Sequence, residues 1–264
     1  MAKIYTFANQ KGGVGKTTTT INLGAYLGYF GQRVLIVDLD PQSNATSSLI
    51  GDRSTVQKTS YEVLIGLAPI APQILHSPER KISLLPASPA LAGAEVELLE
   101  LPNRAVRLKE ALQAVQDRYD YILIDCPPSL NILTINGLVA AKDGVIIPVQ
   151  CEYLALEGLG QLVQTIQKVK SSLFAGLKIR GVVLTMYMGR TKLADGVVEN
   201  VKKFFPNQVF QSVIPRSIRL AEAPSYFKPI SLYAPESTAA KAYESLAREL
   251  LEQDGVHIPE LTTE

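Results

Sequence analysis

The sequence predicts a doubly wound α/β fold, a mostly parallel sheet of about seven strands with helices on both faces. Three observations carry this. Apolar, β-branched runs at residues 33–38, 121–125, 144–149 and 179–186 lack the polar alternation of a half-exposed strand, so each reads as buried on both faces. Helical patterns lie between them, as crossover connections in a parallel sheet require. Two of the runs end in aspartate, Asp38 and Asp125, where open α/β sheets hold their ligands.

The first strand, residues 4–8, leads into Lys11-Gly12-Gly13-Val14-Gly15-Lys16-Thr17-Thr18, and a helical pattern carrying Ile21, Leu23, Ala25 and Leu27 follows. This order is strand, phosphate loop, helix. Glycines let backbone N–H groups turn inward around anionic phosphates, the helix N-terminus adds its positive dipole end, and Lys16 supplies a point charge to the β- and γ-phosphates. Thr17 is placed to hold Mg²⁺ through its hydroxyl. The general pattern G-x-x-x-x-G-K-[ST] wants glycine where this chain has Gln10. The stretch from Asn9 to Thr17 instead resembles the deviant Walker A motif of the ParA/MinD group of P-loop ATPases. The resemblance implies ATP and Mg²⁺ as cofactors, with Lys11, Gly12, Gly13, Val14, Gly15, Lys16, Thr17 and Thr18 around the nucleotide. It also implies that Lys11 reaches across a dimer interface to the nucleotide of the partner chain, so that Lys11 and Lys16 both serve catalysis.

At 264 residues the chain has the length of one large domain, expected to span 1–264 with a short flexible tail from about 255. A net charge of +1 points to neither nucleic acid nor membrane, so any basic surface must be local. Cys126 and Cys151 lack the spacing of a metal site or a disulfide framework, which suits a reducing compartment. The start enters a strand without a signal-peptide pattern, and no apolar run approaches the roughly 18 residues of a spanning helix. A cytoplasmic protein is expected.

The second strand, 33–38, runs into Asp38-Leu39-Asp40-Pro41-Gln42-Ser43-Asn44. One carboxylate can orient the attacking water and the other support the Mg²⁺ shell. This segment looks like the first switch region of ParA-type ATPases, which implies that Asp40 is needed for hydrolysis and leaves Asp38 to the metal. Residues 43–80 read as a loop with one or two short helices. A strand at 82–86 and helical patterns at 90–101 and 106–115, split by Pro102, follow. The strand 121–125 delivers Asp125 toward the phosphate loop, the Walker B arrangement in which the carboxylate binds a water of the Mg²⁺ shell. The turn after it, Cys126-Pro127-Pro128-Ser129, is similar to the family's second switch, its prolines stiffening a segment that reports the bound nucleotide. Nitrogenase-reductase-like relatives hold an iron–sulfur cluster near this point. Cys126 and Cys151 read instead as small apolar fillers.

Residues 154–173 form a helix with a core-facing stripe of Leu156, Leu159, Leu162, Val163, Ile166 and Val169. Relatives contact adenine just past the strand at 179–186, often through an asparagine. Thr185 and Met186 stand there in this chain, which puts Met186 at the base and leaves the contact to backbone groups. Residues 178–233 carry nine lysines and arginines against three acids, the footprint of phosphate-backbone binding. Here Gly189-Arg190-Thr191 and the stretch from Ile214 to Pro224 look like segments of Soj-type chromosomal ParA proteins. The resemblance implies DNA binding without sequence preference through Arg190 and Arg219, and puts Pro215 and Arg216 beside the nucleotide. The last helix runs from Ser237 past Leu250 to Asp254-Gly255.

The resemblance covers residues 3–251. It implies an ATP-bound homodimer on non-specific double-stranded DNA, slow hydrolysis stimulated by a ParB-type partner, and partitioning of a chromosome origin or plasmid from a nucleoid-associated pool. The tail is not the basic amphipathic helix of MinD-like relatives, so no membrane target is expected. Nor is there a helix-turn-helix segment ahead of the loop, which argues against autorepression. The alternatives are a positioner of a non-DNA cargo, a MinD-type regulator, and a metabolic P-loop enzyme such as an amide-forming ligase.

Overall fold

A computed structural model describes residues 1–52, 54, 56–152, 158–189 and 192–258, with the backbone alone for 192–194. Its strands are β1 (Lys3–Phe7), β2 (Val34–Asp38), β3 (Leu75–Ser77), β4 (Ile82–Leu85), β5 (Tyr121–Asp125), β6 (Gly144–Gln150), β7 (Ile179–Tyr187) and β8 (Val209–Pro215). The helices are α1 (Lys16–Tyr29), α2 (Asn44–Leu49), α3 (Ser60–Ile65), α4 (Leu91–Glu97), α5 (Arg107–Gln113), α6 (Ile132–Ala140), α7 (Leu159–Ser172), α8 (Lys192–Phe204), α9 (Ile218–Glu222), α10 (Ile230–Tyr233) and α11 (Thr238–Gln253). One sheet takes the order β3-β4-β2-β5-β1-β6-β7-β8, and every pairing is parallel except β3 with β4.

The inner strands β2, β5, β1 and β6 are buried on both sides, and successive residues go to opposite layers as the pleat demands. Tyr5, Phe7, Ile36 and Leu123 pack under α1 and α11, whereas Ile4, Leu35, Val37, Ile122 and Ile124 face the layer of α3 to α6. A third cluster joins β6 and β7 to α7 and α8. The doubly wound expectation therefore holds, with eight strands in the sheet.

The sequence reading singles out neither β3, β8 and α6 nor the short elements and α8 that lie between β7 and α11. β3 is a three-residue edge strand with no fully buried side chain, so it leaves no hydrophobic pattern to read. β8 is also an edge strand; its exposed and half-buried positions interrupt the apolar run. α6 is apolar nearly all round, with eight buried residues, and such a segment has no amphipathic period. The expected helix over 154–173 is present from Leu159; residues 153–157 lie outside the described ones. Val256 and Ile258, in the stretch read as tail, pack against the core behind α11.

The sheet also sorts the basic segment. Lys178 and Arg180 stand at the start of β7, and Lys202 and Lys203 at the end of α8. In a parallel sheet these are at the end away from the phosphate loop. Arg180 is half-buried and committed within the fold: it pairs with Asp254 at 3.0 Å and donates to Gln253 at 2.6 Å. The Tyr5 and Tyr121 hydroxyls also donate to Asp254, at 2.7 and 3.0 Å. Burial and the Asp254 carboxylate push both phenols well above their ordinary range. This cluster ties the end of α11 to β1, β5 and β7.

Candidate functional site

The loop between β1 and α1 is held at both ends. Asn9 donates to the Pro148 carbonyl of β6 at 2.7 Å and accepts the Lys11 N–H at 3.0 Å. Thr185, at the end of β7, donates to the Val14 carbonyl at 2.8 Å. Gly15 caps α1 in the left-handed region, φ 87°, with Thr185 close behind it; a side chain there would be strained. No side chain caps the first turn of α1, so its N–H groups remain available to an anion. Lys16 is 7% exposed, and among the described residues its ammonium donates to the Lys11 carbonyl alone, at 3.3 Å. Burial holds its pKa down, against the pull of Asp125 and Asp40.

Two neighbouring strands deliver the acids, because β2 and β5 pair in register with Asp38 beside Asp125. Asp125 is fully buried; one oxygen accepts the Thr17 hydroxyl at 2.6 Å and the other has no hydrogen-bond partner. Burial and then the Asp38 charge push its pKa up to about 8. Asp38 is pushed up to about 6, chiefly by burial, with hydrogen bonds from Thr46 opposing. Asp40, 5% exposed, accepts the Gln42 N–H at 2.9 Å and lines the cleft.

The cleft is a cavity of about 430 Å³ bounded by Gly12, Gly13, Gly15, Lys16, Thr17, Thr18, Asp40, Pro128 and Met186, among others. Beside it lies a second space of about 280 Å³, which shares Gly15, Thr18 and Met186 and adds Thr185, Ile214, Pro215, Arg216, Leu220 and Tyr243. Glycines, hydroxyls and Lys16 line much of the first, whereas Met186, Ile214, Pro215, Leu220 and Tyr243 give the second a more apolar wall. Met186, which lines both cavities, takes a left-handed backbone, φ 51°, unusual for a side-chain-bearing residue. The Arg216 N–H donates to the Tyr187 carbonyl at 3.0 Å, closing the wall between β7 and β8. Two other hollows, of about 330 and 480 Å³ beside β3, contain no loop residue.

The residues present fit a bound Mg²⁺. Asp125 has an unpartnered buried oxygen, Thr17 is bonded to the other, and the cleft before them is open to phosphates. Among the described residues no cluster of three or more His, Cys, Asp or Glu forms an all-protein metal site. A hard cation held by one carboxylate, one hydroxyl, phosphates and water needs none.

Comparison with known proteins then decides the family. A family described as an AAA domain matches residues 2–179. Sporulation initiation inhibitor protein Soj of Bacillus subtilis is 53% identical over 250 residues, covering 95% of this chain and 98% of its own. Chromosome-partitioning ATPase Soj of Treponema pallidum is 50% identical, covering 97% and 99%. The chain belongs to the Soj/ParA family of chromosome-partitioning ATPases. Among solved structures, a cobyrinic acid a,c-diamide synthase from Mycobacterium smegmatis with bound ADP and magnesium superposes with a TM-score of 0.85, at 38% identity over 99% of this chain and 100% of that one.

Set in this family, the sequence-derived residues fall into three groups. Those of the loop, Asp38, Asp40, Asp125, Met186, Pro215 and Arg216 converge on the two joined cavities or the strand ends beneath them. Lys11 is half-buried, lines neither cavity, and its ammonium has no ion-pair partner among the described residues. Arg219 is exposed on α9, pairing with Glu222 at 3.0 Å, while Arg190 lies outside the described residues. Cys126 and Cys151 are buried, free and in different clusters, and burial pushes both thiols up, Cys151 to about 11. Sequence reasoning missed the anchors: Asn9 and Thr185, whose bonds hold the loop, and Thr46, which holds Asp38. A small polar residue at the end of an apolar run, as Thr185 is, was the available signal.

Proposed function

We propose that this chain is an ATP-dependent dimerising switch that binds DNA without sequence preference and partitions a chromosome origin or plasmid. It is an ATPase of the Soj/ParA family. The observation that supports the mechanism best is an uncapped α1 N-terminus and a buried Lys16 lining one cavity, with Asp125 behind its Thr17 wall keeping an oxygen without a hydrogen-bond partner. Backbone N–H groups of residues 12–18 and the Lys16 ammonium take the β- and γ-phosphates, and the base lies against Met186, Pro215 and Arg216. Thr17 and Asp125 would hold Mg²⁺, which when bound offsets the phosphate charge. Asp40 orients the attacking water. Lys11, without an ion-pair partner among the described residues, reaches the nucleotide of a second copy, so that closure of the dimer completes both sites.

Dimerisation aligns two copies of Arg190 and Arg219 on the duplex. Doubling the phosphate contacts raises affinity steeply and makes it salt-dependent. A ParB-type protein stimulates hydrolysis and resets the cycle, and the active pool is cytoplasmic and on the nucleoid. Among the described residues no helix is long and apolar enough to cross a membrane.

The test is retention on random-sequence duplex DNA with ATP, with ADP and without nucleotide, across a salt series. Binding that requires ATP, ignores sequence and falls steeply with salt is expected. Loss of all DNA binding in the three states would return the reading to a non-DNA cargo or to a metabolic enzyme, whose turnover would depend on a small acceptor.

A further inference from the structure

We infer that Thr46 is a positioning residue for ATP hydrolysis, acting through Asp38 to hold the Asp40 carboxylate at the phosphate end of the cleft. The inference rests on the ATPase reading above and deepens it. Asp38 ends β2 without any exposed surface. Its oxygens are divided between two tasks: one accepts the Asp40 N–H at 3.1 Å, and the other accepts both the N–H of Thr46, at 2.9 Å, and its hydroxyl, at 2.7 Å. The Thr46 oxygen in turn accepts the Ala87 N–H at 2.8 Å, just past β4.

That arrangement commits the Thr46 hydrogen to Asp38 and its lone pair to Ala87. The residue is 1% exposed, in the first turn of α2, so water cannot replace either bond. The Ser60 hydroxyl, at the start of α3, fastens the Asp38 carbonyl at 2.7 Å. Residue 40 is therefore gripped from behind by α2, α3 and the segment after β4, while its own side chain is turned by the bond from the Gln42 N–H. Asp38 in this arrangement serves the backbone of Asp40 rather than a metal shell.

Removing the hydroxyl alone leaves one Asp38 oxygen short of a donor and the Ala87 N–H without an acceptor. Both faults lie directly behind Asp40. Buried groups stripped of partners relax, and a shift on the order of 1 Å in a group that orients a reactant is enough to cost about 100-fold in rate. The phosphate loop, carried by β1 and anchored by Asn9 and Thr185, is not part of this grip. Hydrolysis and nucleotide binding should therefore come apart.

The experiment compares the full chain with Thr46→Val, which keeps the shape and removes both bonds, and Thr46→Ser, which keeps the hydroxyl. Steady-state ATP turnover with Mg²⁺ gives kcat and KM, and a fluorescent ADP analogue gives a dissociation constant. Thr46→Val is expected to lose about 10- to 100-fold in kcat with the ADP constant within about 3-fold of the parent, and Thr46→Ser to recover kcat to within about 3-fold. Parental turnover in Thr46→Val, equal losses of turnover and nucleotide binding, or failure of Thr46→Ser to recover would each overturn the positioning role. Absence of turnover in the parent itself would instead sink the ATPase reading.

Discussion

Lys16 and Arg180 are both largely buried cations close to carboxylates, yet their surroundings differ in one respect. Arg180 sits in a saturated cluster: Asp254, Gln253, Tyr5 and Tyr121 exchange hydrogen bonds around it at one end of the sheet. Among the described residues Lys16, at the other end, donates to a single carbonyl, and the nearby Asp125 keeps an oxygen with no hydrogen-bond partner. Buried polar groups are normally satisfied. A deficit concentrated at one place therefore suits a ligand-binding site, whereas a saturated cluster marks a structural lock.

The contrast is sharpest in the Lys16→Ala variant. It should abolish ATP binding, a loss of more than about 100-fold in affinity by equilibrium dialysis, since truncating one side of a buried charge contact costs roughly 2–5 kcal/mol. The urea midpoint of the nucleotide-free protein should not fall. Asp254→Ala reverses the pattern: about 3–5 kcal/mol of stability is lost because Arg180 is left buried without its partner, while ATP affinity in the folded fraction is unchanged. Equal effects of the two variants on both readouts would erase the distinction.

Within the cleft, Asp40→Ala should keep ATP and lose about 100-fold in turnover, trapping the ATP-bound dimer on a sizing column. The two ends of the basic segment offer smaller tests. Arg219→Glu, at the phosphate-loop end, is expected to weaken duplex DNA by about 10-fold at low salt and to reduce the slope of affinity against salt. Lys203→Ala, at the far end of α8, should change DNA affinity by less than about 2-fold. The reverse ranking would move the DNA surface to the opposite end of the sheet.

The phosphate loop and both aspartate-bearing strand ends were legible because each is a contiguous stretch whose chemistry follows from its spacing, whereas Met186, Pro215 and Arg216 were reached only through the family resemblance. Gly12 to Thr18 must surround an anion wherever the strand and helix beside them go. The charge count over residues 178–233 was a different kind of signal. It treated Arg180, Lys202 and Arg219 as one patch, and the direction of β7, α8 and β8 separates them by the depth of the sheet. Thr46 and Thr185 carried no spacing signal, since their partners Asp38, Ala87 and Val14 come from other elements.

From the sequence alone followed the doubly wound class, the nucleotide loop and the carboxylates at the ends of β2 and β5, because periodicity and local motifs survive without knowledge of neighbours. Only the tertiary structure decided which charges face the ligand, which lock α11 to the sheet, and that Asp38 is bound to the backbone of Asp40. Those outcomes depend on hydrogen bonds between residues far apart in the chain. Such bonds form only once the strand order has brought β2, β4, β5 and β7 to their places.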